Sequence, residues 1–186
     1  MAATIRRATL ADAPTLGAIH SASWGELYPK ALSAEVLAQL NPQYMEHLWQ
    51  KFVRRGGDYK QWVAEVDGEI VGYIAVGPGR EEGREELTEL YFLYLVPSAR
   101  GTGAGKQLLA AGDVDYLWVW EEFKQTRKFY LSQDYVPEIV RVTRGMGPRS
   151  RVGVLFGSSY QTELRMIRKP DGSPPRAPIA FPEWGS

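Results

Sequence analysis

Three glycines at alternate positions, Gly101, Gly103 and Gly105, stand between Arg100 and Lys106. Glycine has no Cβ, so a ligand can touch the main chain there and successive N–H groups can turn the same way. A helix starting at this point adds the partial positive charge of its first turn. Such a turn suits a phosphate or a diphosphate. An ordinary strand-to-helix turn also uses glycine, so the spacing has to discriminate. A Walker A loop needs Ser or Thr after Gly-Lys, and here Gln107 follows Gly105-Lys106. The dinucleotide pattern G-x-G-x-x-G would need glycine where Lys106 stands, although Glu121 does lie at about the distance, roughly 20 residues, that this motif asks of its acidic residue.

Composition narrows the setting. The chain has 186 residues, 44% of them hydrophobic and 12% aromatic, which suits one globular domain with a sizeable core. Basic and acidic side chains balance at 22 each, so there is no electrostatic case for nucleic acid or an anionic membrane, although the Arg141–Arg151 stretch could bind anions locally. The absence of cysteine excludes disulfides, thiolate metal sites and a cysteine nucleophile. His20 and His47 are isolated, and Asp113 and Asp115 flank a turn, so no metal is expected. Neither the start, Met1 to Arg7, nor any later stretch has an apolar run for export or for spanning a bilayer. A cytoplasmic protein is the expectation.

The elements that must position the loop follow from periodicity. Thr4 to Ala8 reads as a strand, and Thr9 to Asp12 has capping-box spacing before a helix to about Trp24, with Leu16, Ile19 and His20 on its apolar face. His20 is expected to be buried and hydrogen-bonded. Ser33 can cap a helix over 34–40, and Pro42 opens another with an apolar stripe of Met45, Leu48, Trp49 and Phe52. Asp67-Gly68 between alternating runs marks a hairpin of strands 61–66 and 69–76. A charged loop, 77–86, leads into a strand over 88–96, then the glycine turn and a helix over 103–111 that Gly112-Asp113 stops. A strand over 116–120, a helix over 122–131 and strands over 139–143 and 162–168 follow, with a Gly-, Ser- and Arg-rich loop between the last two. The expected fold is three-layer α/β, helices on both faces of a mixed, mostly antiparallel sheet. Residues 1–168 form one domain, and 169–186 are a proline-rich tail.

With these elements in place, Arg100-x-x-Gly103-x-Gly105 after a strand ending Leu-Tyr-Leu-Val-Pro resembles the acyl-CoA loop of the GNAT superfamily of N-acyltransferases. The hairpin Val63 to Tyr73 is similar to that family's second and third strands. Leu117-Trp118-Val119 followed by Arg127-Lys128-Phe129-Tyr130 is similar to its later strand–helix segment, and Ser23-Trp24 to Tyr28 to its substrate-side helices. The resemblance implies acetyl-CoA as co-substrate and direct attack on its thioester by a primary amine, on a small molecule or on a protein. The diphosphate would lie against Arg100, Gly101, Thr102, Gly103, Ala104, Gly105 and Lys106. Leu93, Tyr94 and Leu95 would line the pantetheine arm, and an N–H in that stretch would hold the oxyanion.

The chemistry also asks for a base and an acid. Neutralising a lysine-like amine at neutral pH costs about 4 to 5 kcal/mol, which a base offsets. Glu89 is the candidate base and Tyr130 the candidate proton donor to the leaving thiolate. Trp24, Tyr28, Tyr91 and the 77–86 loop would form the acceptor pocket, where Glu81, Glu82, Glu85 and Glu86 could attract a cation. A homodimer is compatible with this reading. Two departures matter: the helix after the loop is about two turns rather than four, and Phe123 stands where the family often has Asn. They leave open weaker catalysis, another acyl donor, or an acyl-CoA-binding module without turnover. The glycines and Glu121 keep a nucleotide-dependent oxidoreductase as a further alternative.

Overall fold

The computed structural model describes residues 3–28, 34–145 and 160–169. Ser33, residues 146–151 of the arginine-rich stretch and the proline-rich tail beyond Lys169 lie outside them. Among the described residues seven strands form one sheet: β1 (Thr4–Arg7), β2 (Lys60–Val66), β3 (Glu69–Pro78), β4 (Thr88–Leu95), β5 (Tyr116–Trp120), β6 (Tyr135–Gly145) and β7 (Tyr160–Arg168). Their spatial order is β1-β2-β3-β4-β5-β7-β6, antiparallel throughout except between β4 and β5. The helices are α1 (Ala13–Leu27), α2 (Ala34–Gln39), α3 (Pro42–Arg55), α4 (Ala104–Gly112) and α5 (Lys124–Ser132).

Local chemistry accounts for most boundaries. Asp12 accepts from the Thr9 amide at 2.7 Å and its hydroxyl at 2.9 Å, closing a short 3-10 turn before α1, and Arg6 locks it from β1. Asn41 caps α3 by accepting from the Tyr44 amide. Asp113 takes a left-handed conformation that ends α4 at Gly112, so this helix is as short as its sequence predicts. The last hairpin differs from expectation. β6 begins at Tyr135 and includes Pro137, which faces Met166 just before a register break, the next pair being Arg141 with Leu164.

The sheet divides two cores. On one face Leu90, Ala104, Leu108, Leu117, Val119 and Tyr130 pack beneath α4 and α5. On the other, Leu16, Trp49, Val63, Tyr73 and Ala75 pack beneath α1 and α3. Gly17 permits the second contact, since a Cβ there would stand 2.6 Å from the Glu46 main chain. His20 lies in this core, fully buried, its ring within 4.8–6.2 Å of those of Phe92, Trp24, Tyr94, Trp49 and Tyr73. Contrary to expectation, neither ring nitrogen has a hydrogen-bond partner among the described residues. Burial holds its pKa down to about 3, so the folded protein keeps His20 neutral where the unfolded chain would protonate it.

The sign follows directly. Below the ordinary histidine pKa of about 6.5 the unfolded state binds a proton that the folded state refuses, so stability falls with falling pH. At about pH 5 the loss from this one group is about 2 kcal/mol. Urea unfolding near neutral pH and near pH 5 should show it, and His20→Phe should remove most of the difference. An equal loss in both proteins would place the acid sensitivity elsewhere.

Candidate active site

β4 is the element around which the candidate residues gather. It pairs with β3 along its whole length, but with β5 only at Glu89–Tyr116 and Leu90–Leu117. Tyr91 is an extra residue in the β3 ladder, because Ala75 faces Phe92 while Val76 faces Leu90. Past it the two strands part, and no other strand pairs with β4 on that side among the described residues. The Val96 amide donates to the Val71 carbonyl of β3. By alternation Leu93 and Leu95 turn their N–H and C=O toward the gap, whereas those of Tyr94 belong to the β3 ladder. Leu93 and Leu95 therefore offer the edge an extended ligand needs, and Tyr94 contributes its side chain instead.

At the mouth of the gap lies the glycine turn. After a 3-10 turn at Pro97–Ala99, Gly101 and Gly103 have φ of 79° and 94°, where a residue with a side chain is strained. A Cβ on either would meet nothing within 4 Å, so the turn is open on that side. Gly105 has another role: a Cβ there would press on Leu95 at 3.1 Å, so its absence seats α4 on β4. Thr102 is exposed, and its hydroxyl donates to the Ala99 carbonyl at 2.7 Å. The first hydrogen bond within α4 runs from Gln107 to Gly103, and the amides of Gly105 and Lys106 belong to the first turn, where a helix leaves its N–H groups without internal partners. Their partial positive charge suits a diphosphate. Lys106 is exposed beside them. Arg100 is engaged elsewhere, donating to Glu26 of α1 at 2.5 and 2.7 Å.

Aromatic side chains crowd the gap from the α1 side. Trp24 donates its indole N–H to the Tyr94 hydroxyl at 2.9 Å, and the Tyr28 hydroxyl also pairs with that of Tyr94. The Tyr28 ring meets Trp120 of β5 at 4.5 Å and Phe123 at 5.7 Å, bridging the two parted strands. Phe123 stacks on Trp120 at 5.2 Å, so the position read as a lost polar contact is part of an aromatic wall. Tyr130 enters from α5 with only 5% of its surface exposed. Burial raises its pKa, and the neighbouring Tyr94 and Tyr135 hydroxyls add to this, so it stays protonated.

Two expected site residues on β4 are engaged by the segment that precedes it. Glu89 is fully buried and accepts from the Arg80 amide at 2.8 Å, the Arg80 guanidinium at 2.6 Å and the Tyr116 hydroxyl at 2.9 Å. Its carboxylate is therefore already paired with a cation and a phenol, and is not a free group. Tyr91 donates to the Pro78 carbonyl at 2.6 Å and lies under the Arg80 guanidinium, so it helps to fix the loop over 79–87. In that loop Glu81 pairs with Arg165 at 2.8 Å, so it adds no net negative charge there, whereas Glu82, Glu85 and Glu86 are exposed. Nothing in the sequence marked Arg80, Tyr116, Trp120 or Glu26, whose partners lie 9 to 74 residues away for the hydrogen-bonded ones.

Residues 57–137 match the family model of the acetyltransferase (GNAT) domain, a span that includes the hairpin, β4, the glycine turn and α5. An uncharacterized N-acetyltransferase of Bacillus subtilis, YuaI, is 29% identical over 144 residues, covering 74% of this chain and 81% of that one. Among solved structures, the PaiA N-acetyltransferase of Thermoplasma acidophilum in complex with coenzyme A superimposes with a TM-score of 0.64 at 20% identity, over 88% of this chain and 98% of its own. The ribosomal-protein-alanine N-acetyltransferase of Brucella melitensis gives 0.62 at 27%, over 88% and 97%.

A side chain at Gly103 tests the turn. Gly103→Val should weaken coenzyme A binding about tenfold or more, equivalent to ~1.4 kcal/mol, in a calorimetric titration. Gly83→Val, also left-handed and open but in the 79–87 loop, should leave binding unchanged. Equal binding by both variants would move the diphosphate away from this turn. An open strand edge, a bare left-handed turn at a helix start and a buried tyrosine all lie within residues 57–137, the span that matches the acetyltransferase (GNAT) domain model.

Proposed function

We propose that the protein transfers an acetyl group from acetyl-CoA to a primary amine, on a small molecule or at a protein amino group. The observation that carries this reading is the run of main-chain groups from Leu93 to Lys106: an edge that no described strand pairs with, leading to a bare anion-binding turn. When bound, the co-substrate supplies a thioester that an amine can attack directly.

The chain's own groups then have assignable tasks. Amides of Gly101, Gly103, Gly105 and Lys106 hold the diphosphate, with the Lys106 ammonium adding charge. Leu93 and Leu95 pair through the main chain with the pantetheine arm, and an N–H beside the gap in β4 supports the oxyanion. Trp24, Tyr28 and Trp120 exclude water on the α1 side. Tyr130 donates a hydrogen bond to the leaving thiolate; its raised pKa makes it a poor acid but a durable donor. Glu89 serves as an anchor, since its ion pair with Arg80 ties the loop to β4 beside the Tyr91 bulge. Removal of the amine proton then falls to water. The acceptor is an amine, and we read the protein as cytoplasmic.

Tyr130→Phe should lower kcat by about 10²-fold while leaving coenzyme A affinity within about twofold. Unchanged kcat would remove Tyr130 from the reaction, whereas coenzyme A binding with no turnover in the wild type would favour the second reading, a coenzyme-binding module whose aromatic wall at Trp120 and Phe123 fills the catalytic position. The anchor role of Glu89 has its own signature. Glu89→Gln and Arg80→Met should lose stability together, by about 2 kcal/mol or more in urea unfolding, with parallel losses of activity. Activity lost in Glu89→Gln alone, at full stability, would restore Glu89 as a base.

A further inference from the structure

The arginine that opens the glycine turn is held by a carboxylate in the free protein. Arg100 Nη1 and Nη2 donate to Glu26 Oε1 and Oε2 at 2.5 and 2.7 Å, a bidentate pair. Nη2 also stands 3.5 Å from the Leu95 carbonyl, one of the edge acceptors turned toward the gap. The guanidinium thus spans the edge at the point where the turn begins, and its charge is already matched.

Glu26 is an awkward place for a carboxylate. It lies in the last turn of α1, where the helix end is partially negative, so Arg100 is what makes its charge favourable there. A diphosphate arriving at Gly101–Lys106 would meet this carboxylate within the same cluster. One guanidinium cannot give both anions its full bidentate face.

Resting on the acetyl-CoA reading above, we infer that Glu26 competes with the coenzyme's diphosphate for Arg100. Binding breaks the Glu26–Arg100 pair and turns the guanidinium from α1 to the diphosphate. Departure of the spent coenzyme lets Glu26 reclaim it. Glu26 is therefore a residue that lowers coenzyme affinity, easing product release, without touching the reacting atoms. Both side chains are nearly half exposed, 44% and 46%, so the exchange needs no unfolding and its effect is modest.

A double-mutant cycle in coenzyme A affinity, measured by calorimetric titration of the full chain, tests this. Glu26→Gln should bind coenzyme A about two- to fivefold more tightly than wild type, the range an exposed ion pair commands. Arg100→Gln should bind more weakly than wild type. The double variant should match Arg100→Gln, since without the cation Glu26 has nothing to compete for. Unchanged or weaker binding by Glu26→Gln, or tightening that persists without Arg100, would overturn the inference while leaving the acetyl-CoA reading intact. Failure of the wild type to bind coenzyme A would overturn both.

Discussion

Among the described residues β4 and β5 meet in register only at Glu89 with Tyr116 and Leu90 with Leu117, and the candidate site lies just past these pairs. A sheet interior normally satisfies its main-chain groups from both sides, and an open edge inside a fold is tolerated where a ligand can complete it. The extra residue at Tyr91 is the local cause. It shifts the alternation of β4 against β3 and lets the strand bend away from β5. The remaining features depend on that parting. α4 covers one side of the gap with its N-terminal amides at the mouth, α5 brings Tyr130, and the last turn of α1 closes the other side with Trp24 and Tyr28.

Charge is used sparingly around the gap. The ion pair of Glu89 with Arg80 is too costly in desolvation to be chiefly a stabiliser, but it fixes where the loop over 79–87 meets β4. The pair of Glu26 with Arg100 fixes where the glycine turn meets α1. In the first the carboxylate is fully buried, and in the second both partners are nearly half exposed. That contrast separates a framework contact from one that a ligand can displace. Between them the walls are aromatic, which keeps the tyrosine hydroxyls of residues 28, 94 and 130 protonated and close together.

What could be read from the sequence was local. Asp67-Gly68 announced the hairpin, Gly112-Asp113 the short helix, and the alternate glycines the bare turn, because each depends on the conformational range of one or two residues. The chain order of strands and helices followed from such signals, but the spatial order, with β7 between β5 and β6, did not. Contacts between distant segments were not legible. Glu89 carries no local sign that Arg80 will fold back onto it, and the Glu26–Arg100 pair joins residues 74 positions apart. His20 shows the same limit. Its helical position marked it as buried, but the ring neighbours that leave its nitrogens without partners come from α3, β3 and β4. The early start of β6 was hidden by Pro137, which sequence rules treat as a strand breaker and the structure places beside a register break.

The central claim is that main-chain amides at the start of α4 hold a diphosphate. Amide proton shifts during titration with coenzyme A, and separately with pantetheine, which lacks the diphosphate, test it most directly. The account predicts that the amides of Gly101, Gly103, Gly105 and Lys106 move strongly with coenzyme A and hardly at all with pantetheine, while those of Leu93 and Leu95 respond to both. Equal responses of the glycine-turn amides to the two ligands, or none to either, would contradict it.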